Sequence, residues 1–182
     1  MNEEHVFVDL ECLGNGTRAP VVSIAAVKFE PQHNYIGTSL HINTIPPDCA
    51  QYSYDTVMWW LRQPEAARDA LNALPPIDLR SALIDLTAFV NPSKYIWARG
   101  TDYDLRILRE WYQFYNETQP AALSSFLGWR DSRCITDLLP DVYRAMKDHY
   151  TGHIATHDCF REIRTIQRVY EVVMTYGRDA KS

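Results

Sequence analysis

No apolar run in this chain approaches the ~20 residues that a helix needs to cross a bilayer, so a membrane-spanning protein is excluded as an expectation. It also lacks C-x-x-C pairs and any His/Cys spacing of the zinc-site kind. Its four cysteines, Cys12, Cys49, Cys134 and Cys159, therefore read as reduced thiols. No repeat, low-complexity tract or linker interrupts the sequence, and 182 residues fit one domain over 1–182 more readily than two. The N-terminus, MNEEHVFVDL, enters a strand-like segment without a signal-peptide pattern, and the expected location is cytoplasmic. Basic surplus is missing as well: the net charge is -5, where nucleic-acid binders usually carry a basic footprint. Long non-specific tracking along duplex is accordingly disfavoured. What remains, 46% apolar and 23% charged residues, is the composition of an ordinary globular protein.

Residues 5 to 12 alternate, with Val6, Val8, Leu10 and Cys12 on one face and Phe7, Asp9 and Glu11 on the other, as a strand requires. A turn-rich loop from Gly14 to Pro20 leads to VVSIAAVKFEP, whose nearly continuous apolar character suits a buried central strand. Tyr35 to Ile42 is expected to complete a meander. From there the pattern turns helical: Asp55 as the cap of a helix through Leu61, Pro64 opening PEAARDALNAL, and Pro75-Pro76 ending it. A helix from Asp78 to Val90 presents Leu79, Leu83, Leu86 and Val90 as its buried stripe. KYIWA reads as a strand broken by Gly100, Asp104 to Tyr115 as a helix, SRCIT as a short strand, and a helix interrupted near Pro140 follows. The last helix, from about His157 to Tyr176, turns Phe160, Ile163, Ile166, Tyr170 and Val173 inward. Three early strands followed by alternating helix and strand give an α/β domain with a mixed sheet.

Asp9 and Glu11, two apart on a strand, point the same way with Cα atoms ~6 to 7 Å apart. Repulsion between them calls for something positive, and a hard cation with oxygen ligands is the sharper reading beside a simply solvated strand end. Asp104 shares a helical stripe with Ile107, Leu108 and Trp111, so its carboxylate faces the core side and needs a partner. Asp102 competes for that role but sits where a helix N-cap belongs; Asp104 is taken as the ligand and Asp102 as the cap. His153 follows Gly152 in a loop, with Thr156 as the expected cap and Asp158 in the first helical turn. His157 is the rival to His153 as a general base. Four carboxylates, Asp9, Glu11, Asp104 and Asp158, with one histidine are the equipment for cutting a phosphodiester with water. Two divalent ions would neutralise the -4 of that cluster and leave the rest of the chain at -1.

The segments VDLEC, GTDYD and HIATHD resemble, in that order, the three motifs of the DnaQ-like, DEDDh 3′-5′ exonucleases. The second motif's N-G-x-x-[FY]-D context is matched by R-G-T-D-Y-D, and the third, H-x-A-x-x-D, by His153, Ala155 and Asp158. A tyrosine four before the last Asp would mark a sister subgroup, but Ile154 stands there. The resemblance covers nearly the whole chain, because TVMWWLRQPEAAR and WRDSRCIT are similar to segments of exodeoxyribonuclease VIII and phage DexA type enzymes, whose mycobacterial relatives act on RNA.

That resemblance implies an RNase H-like fold with a mixed five-stranded sheet. It implies two Mg²⁺ or Mn²⁺ ions held by Asp9, Glu11, Asp104 and Asp158, with His153 taking a proton from water. The implied reaction is hydrolysis of single-stranded nucleic acid from its 3′ end to nucleoside 5′-monophosphates, DNA being favoured. RNA 3′ ends, in an exoribonuclease or oligoribonuclease, are the alternative; a non-catalytic nucleic-acid-binding relative is a third. Related exonucleases often pair, so a homodimer is among the expectations. Leu13 resembles the apolar residue placed against the terminal base. Trp59 is a candidate for base stacking while Trp60, with Val57 and Leu61, is assigned to the core. Arg133 and Arg130 are candidate phosphate contacts. Two residues depart from the pattern: Arg99, where Asn is common, and Glu162, where Gln is frequent. Arg99 is thereby a further candidate for meeting a phosphate.

Overall fold

The computed structural model describes residues 4–147 and 149–179. Strands β1 (His5–Cys12), β2 (Val21–Glu30) and β3 (Tyr35–Ile45) form an antiparallel meander. Helices α1 (Tyr54–Trp60) and α2 (Glu65–Ala70) follow, then the two-residue strand β4 (Ile77–Asp78), α3 (Leu79–Val90) and β5 (Tyr95–Ala98). Next come α4 (Asp104–Tyr115), α5 (Ala121–Ser124), a 3-10 turn and β6 (Trp129–Asp131), and finally α6 (Arg133–Thr136), α7 (Pro140–Lys147) and α8 (Ala155–Asp179). The sheet order is β4-β3-β2-β1-β5-β6, with β5 parallel to β1, β6 parallel to β5 and β4 parallel to β3. It is therefore a mixed sheet of six strands, one more than expected. The extra strand is β4, too short for any periodicity to announce it.

The alternation in β1 sorts its side chains between two cores. Val6, Val8, Leu10 and Cys12 pack with Leu79, Leu83, Leu86, Ile107, Leu108 and Trp111 of α3 and α4. Phe7 goes to the opposite face with Trp97, Cys159, Ile163 and Ile166, under α8. Burying each such large side chain contributes roughly 1.5–3 kcal/mol, which fixes the register of β1, because a one-residue slip would exchange the two faces. Asp9 and Glu11 continue the Phe7 face toward the strand's end, opposite Ala25 and Ser23 of β2. Those small neighbours leave the floor open where α8 begins.

Several local expectations are corrected. Ser53, not Asp55, caps α1: its Oγ accepts from Thr56 N at 3.3 Å, and Asp55 merely lies in the first turn. α2 stops at Ala70, whose carbonyl accepts from Asn43 Nδ2 at 3.0 Å, and the chain turns over 71–74 before the proline pair. SRCIT is not a strand; the strand is the preceding Trp129–Asp131, and Arg133–Thr136 is a helical turn. Asp131 drives that switch, because its carboxylate accepts from Arg133 N at 2.9 Å and from Gly100 N at 3.2 Å and so bends the chain off the sheet. α8 begins at Ala155, so Thr156 is inside it and no cap, and Val173 is exposed because the helix outruns the sheet beneath it. Leu61 is likewise exposed, while Trp60 is buried and donates from Nε1 to Cys12 O at 2.9 Å. All four cysteines are free thiols, as expected. Among the described residues no helix is long and apolar enough to cross a membrane.

Candidate active site

Three elements deliver the acidic residues to one place. β1 supplies Asp9 and Glu11, the start of α4 supplies Asp104, and the start of α8 supplies Asp158. Asp104 is buried, and its Oδ1 accepts from Leu10 N at 3.3 Å, which ties α4 to β1 between the two strand carboxylates. Asp158 is buried too. Its Oδ2 accepts from His153 N at 2.9 Å, so the loop before α8 is folded back onto the helix's first turn. His153 adopts a left-handed backbone with φ of 63°, a conformation that costs a non-glycine residue roughly 1 kcal/mol and that this hydrogen bond helps offset.

The result is a tight donor set. Ligand atoms of Glu11, His153 and Asp158 all lie within 4.8 Å of one another. Glu11 Oε1 and Asp158 Oδ1 are buried with no hydrogen-bond partner. Asp9 and Asp104 join electrostatically. Burial and then the charges of Glu11, Asp104 and Asp158 push the Asp9 carboxyl well up, and burial with Asp158 and Asp104 does the same to Glu11. Burial also drives Asp104 up to about 8, against the pull of the Leu10 N–H. Asp9 keeps part of its surface open to the cleft, so the repulsion on it is partly screened. Oxygen donors of this density, with Glu11 Oε1 buried and without a hydrogen-bond partner among the described residues, fit hard divalent cations.

One positive side chain acts on this cluster from inside. Arg161, one turn after Asp158 on α8, is buried and places Nη1 2.5 Å from Asp158 Oδ1, out of line for a hydrogen bond, and it opposes the upward shifts of Asp9 and Glu11. Reading the sequence motif by motif missed Arg161, although its i, i+3 spacing from Asp158 is an ordinary helical pairing signal.

The two histidines separate. His153 stands in the donor set, with the Trp59 ring edge-on at 4.6 Å and Trp60 at 6.2 Å. His157 turns toward Tyr150, with ring centroids 6.2 Å apart and a buried Nδ1 lacking a partner. Trp59, 40% exposed, thus borders the site as a wall of the histidine. Leu13, two residues after Glu11, is half-buried, its N–H donating to Pro20 O and its carbonyl accepting from Ser53 N.

Arginines expected to meet phosphate are engaged elsewhere. Arg133 bridges Asp131 at 2.7 Å and Asp102 at 2.8 Å, and it roofs Gly100, whose φ of 88° strains any side chain and where a Cβ would sit 3.3 Å from the Arg133 guanidinium. Asp102 is thereby an ion-pair partner and not the cap of α4, which has no side-chain cap. Arg130 donates to Leu127 O and Trp129 O and lies over the Tyr95 ring. Arg99 donates to both oxygens of Glu162 at 3.3 Å and to Thr136 Oγ1 at 3.3 Å.

A family model described as the 3′-5′ exoribonuclease Rv2179c-like domain matches residues 4–170. No curated protein sequence matches. Among solved structures, the nuclease domain of 3′hExo, described as a DEDDh family member bound to rAMP, superposes with a TM-score of 0.65 at 11% identity, over 92% of each chain. Cell-death related nuclease 4 gives 0.64 at 12% identity, over 92% of this chain and 64% of its own. E. coli exonuclease I with a dT13 oligonucleotide gives 0.67 at 16% identity, over 97% of this chain and 42% of its own. The chain thus spans less than half the length of exonuclease I. At these identities the likeness is one of fold, and the fold is that of the DnaQ-like exonucleases.

Proposed function

The chain belongs to the Rv2179c-like 3′-5′ exoribonuclease family, and from that premise we propose that it is a single metal-dependent exonuclease domain cutting single strands from their 3′ ends. The observation that carries the reading is the convergence of Glu11, His153 and Asp158 within 4.8 Å, with Asp9 and Asp104 coupled to them. Two divalent cations, Mg²⁺ or Mn²⁺, would be held by Asp9, Glu11, Asp104 and Asp158. When bound, they supply Lewis-acid stabilisation of charge on the attacking and leaving oxygens.

The chain's own residues do the rest. His153, fixed through its backbone by Asp158 and walled by Trp59, takes the proton of the water that attacks phosphorus. The bond to the 3′ oxygen breaks, that oxygen is protonated from solvent, and a nucleoside 5′-monophosphate leaves. Leu13 and Trp59 border the place where the terminal base is expected.

RNA is placed first as substrate because the family is described as exoribonucleases and one fold relative is described with rAMP. DNA, favoured on the sequence, is the second reading and is supported by the oligonucleotide complex of exonuclease I. Digesting 5′-labelled RNA, single-stranded DNA and duplex DNA side by side with Mg²⁺, Mn²⁺ or EDTA tests it. The expected result is a metal-dependent ladder shortening from the 3′ end, faster on RNA. Metal-independent cleavage, or cuts inside the strand, would overturn the reading.

A further inference from the structure

Arg99 and Glu162, the two departures from the resembled motifs, are 63 residues apart in sequence and in contact in space. Glu162 is 1% exposed, and a carboxylate so enclosed needs compensation. Its partners among the described residues include the Tyr143 hydroxyl and three further side chains. Arg99 Nη1 reaches both oxygens at 3.3 Å, Ser132 Oγ donates to Oε2 at 2.8 Å, and Arg161 Nη2 lies 3.7 Å from Oε1. Arg161 in turn holds Asp158 through Nη1. The Tyr143 ring of α7 lies 4.3 Å from the Arg99 guanidinium and 5.7 Å from that of Arg161, between the two cations.

These contacts run without a break from the end of β5 to a carboxylate of the site. Glu162 stands between Arg99 and Arg161 and orients the second by sharing it with Asp158. Ser132 anchors the same carboxylate to the turn after β6, and Arg99 lies five residues before Asp104, on the segment that leads into α4. The bracket therefore spans the elements whose relative placement decides the distance between Asp158 and Asp104. With one Arg99 nitrogen committed to Glu162 and Thr136 and the guanidinium over Tyr143, a substrate phosphate is not its evident partner.

We infer that Arg99 and Glu162 are a coupled positioning pair: a half-buried ion pair, its carboxylate enclosed and its guanidinium partly exposed, that through Arg161 sets where Asp158 stands relative to Glu11 and His153. The inference deepens the exonuclease reading and rests on it for its kinetic arm only. Removing Arg99 alone leaves the enclosed Glu162 carboxylate short of positive charge, and removing Glu162 alone leaves Arg99 without its partner, so the two positions are expected to be non-additive.

A double-mutant cycle with Arg99→Asn, Glu162→Gln and the double variant tests this. The readouts are kcat and KM on a 5′-labelled RNA oligonucleotide, the dissociation constant for Mn²⁺, and the unfolding midpoint. Each single variant is expected to lower kcat by roughly 10-fold or more with KM within about 3-fold, and to weaken Mn²⁺ binding, because a displaced ligand costs rate more than substrate affinity. The double variant is expected to fall clearly short of additivity, its losses in kcat and in Mn²⁺ affinity being smaller than the product of the single losses and its unfolding midpoint higher than the sum of the single shifts gives.

Losses in the double variant equal to the product of the single losses would overturn the pairing. So would Arg99→Asn raising KM with kcat unchanged, which is the signature of a phosphate contact. Should Arg99→Asn fail to fold, Arg99→Lys, which keeps the charge, is expected to fold and to restore Mn²⁺ affinity; if it does neither, the pairing is overturned. Should the parent cut no strand, Mn²⁺ affinity and the midpoints still report the coupling, so the bracket and the exonuclease reading fail separately.

Discussion

At the scale of single residues, His153 is the most exposed to test. Its place in the donor set and the orientation of His157 toward Tyr150 give the two histidines different expected effects. His153→Ala should lower the hydrolysis rate by roughly 10² to 10⁴ with Mn²⁺ still bound, as loss of a general base does. His157→Ala should stay within about 2-fold on the same assay, since its ring is directed toward Tyr150 and its nitrogens are not among the clustered ligand atoms. The reverse pattern would move the base to His157. Asp9 and Glu11 were legible because a strand's two-residue period dictates their common direction, and Asp158 because an acidic residue in a first helical turn is favoured by the dipole. Asp102 was misread as a cap because its partner, Arg133, lies 31 residues away and no local pattern announces it. The left-handed backbone of His153 was equally hidden, being imposed by Asp158 from beyond the loop.

At the scale of elements, long segments with one strong period declared themselves and short ones did not. β1, β2, α3 and α4 lie close to where alternation or a helical stripe placed them. β4 and β6, of two and three residues, are held by neighbouring strands and a turn, and the β-branched look of SRCIT pointed the wrong way. The junction of β1 and β5 carries a prediction of its own. Trp97 Nε1 donates to His5 Nδ1 at 2.8 Å, which requires that nitrogen to be unprotonated, and burial lowers the His5 pKa to about 4. A folded-state pKa below the unfolded value near 6.5 means that the unfolded chain takes the proton first. The contribution is therefore full above pH 6.5 and is lost as pH falls toward 4. His5→Gln keeps an acceptor and cannot titrate. In urea unfolding between pH 7 and pH 4.5 the parent should lose more stability than His5→Gln, and parallel curves would refute the coupling.

At the scale of the whole molecule, the net charge of -5 opposes the approach of a polyanion, and neutralising the acidic cluster from outside would weaken that repulsion. The repulsion belongs to the fold, since β1, α4 and α8 are brought together by the two hydrophobic cores and not by the carboxylates themselves. Asp9 and Glu11 are pushed well up and Asp104 up to about 8, above their values in the unfolded chain. Raised carboxyl pKa values make the metal-free folded state most stable where these groups are protonated, below their unfolded values, and that contribution is lost as pH rises through about 8. A cation reverses the loss because it binds the ionised, folded cluster. The most direct measurement is the thermal midpoint at pH 8 and at pH 5.5, each with EDTA and with saturating Mn²⁺. At ~100 times its dissociation constant a single bound ion contributes about 2.7 kcal/mol, which corresponds to roughly 5–10 °C at pH 8 for a domain of this size. A clearly smaller shift is predicted at pH 5.5, and an unchanged midpoint at pH 8, or shifts of equal size at both, would contradict the account.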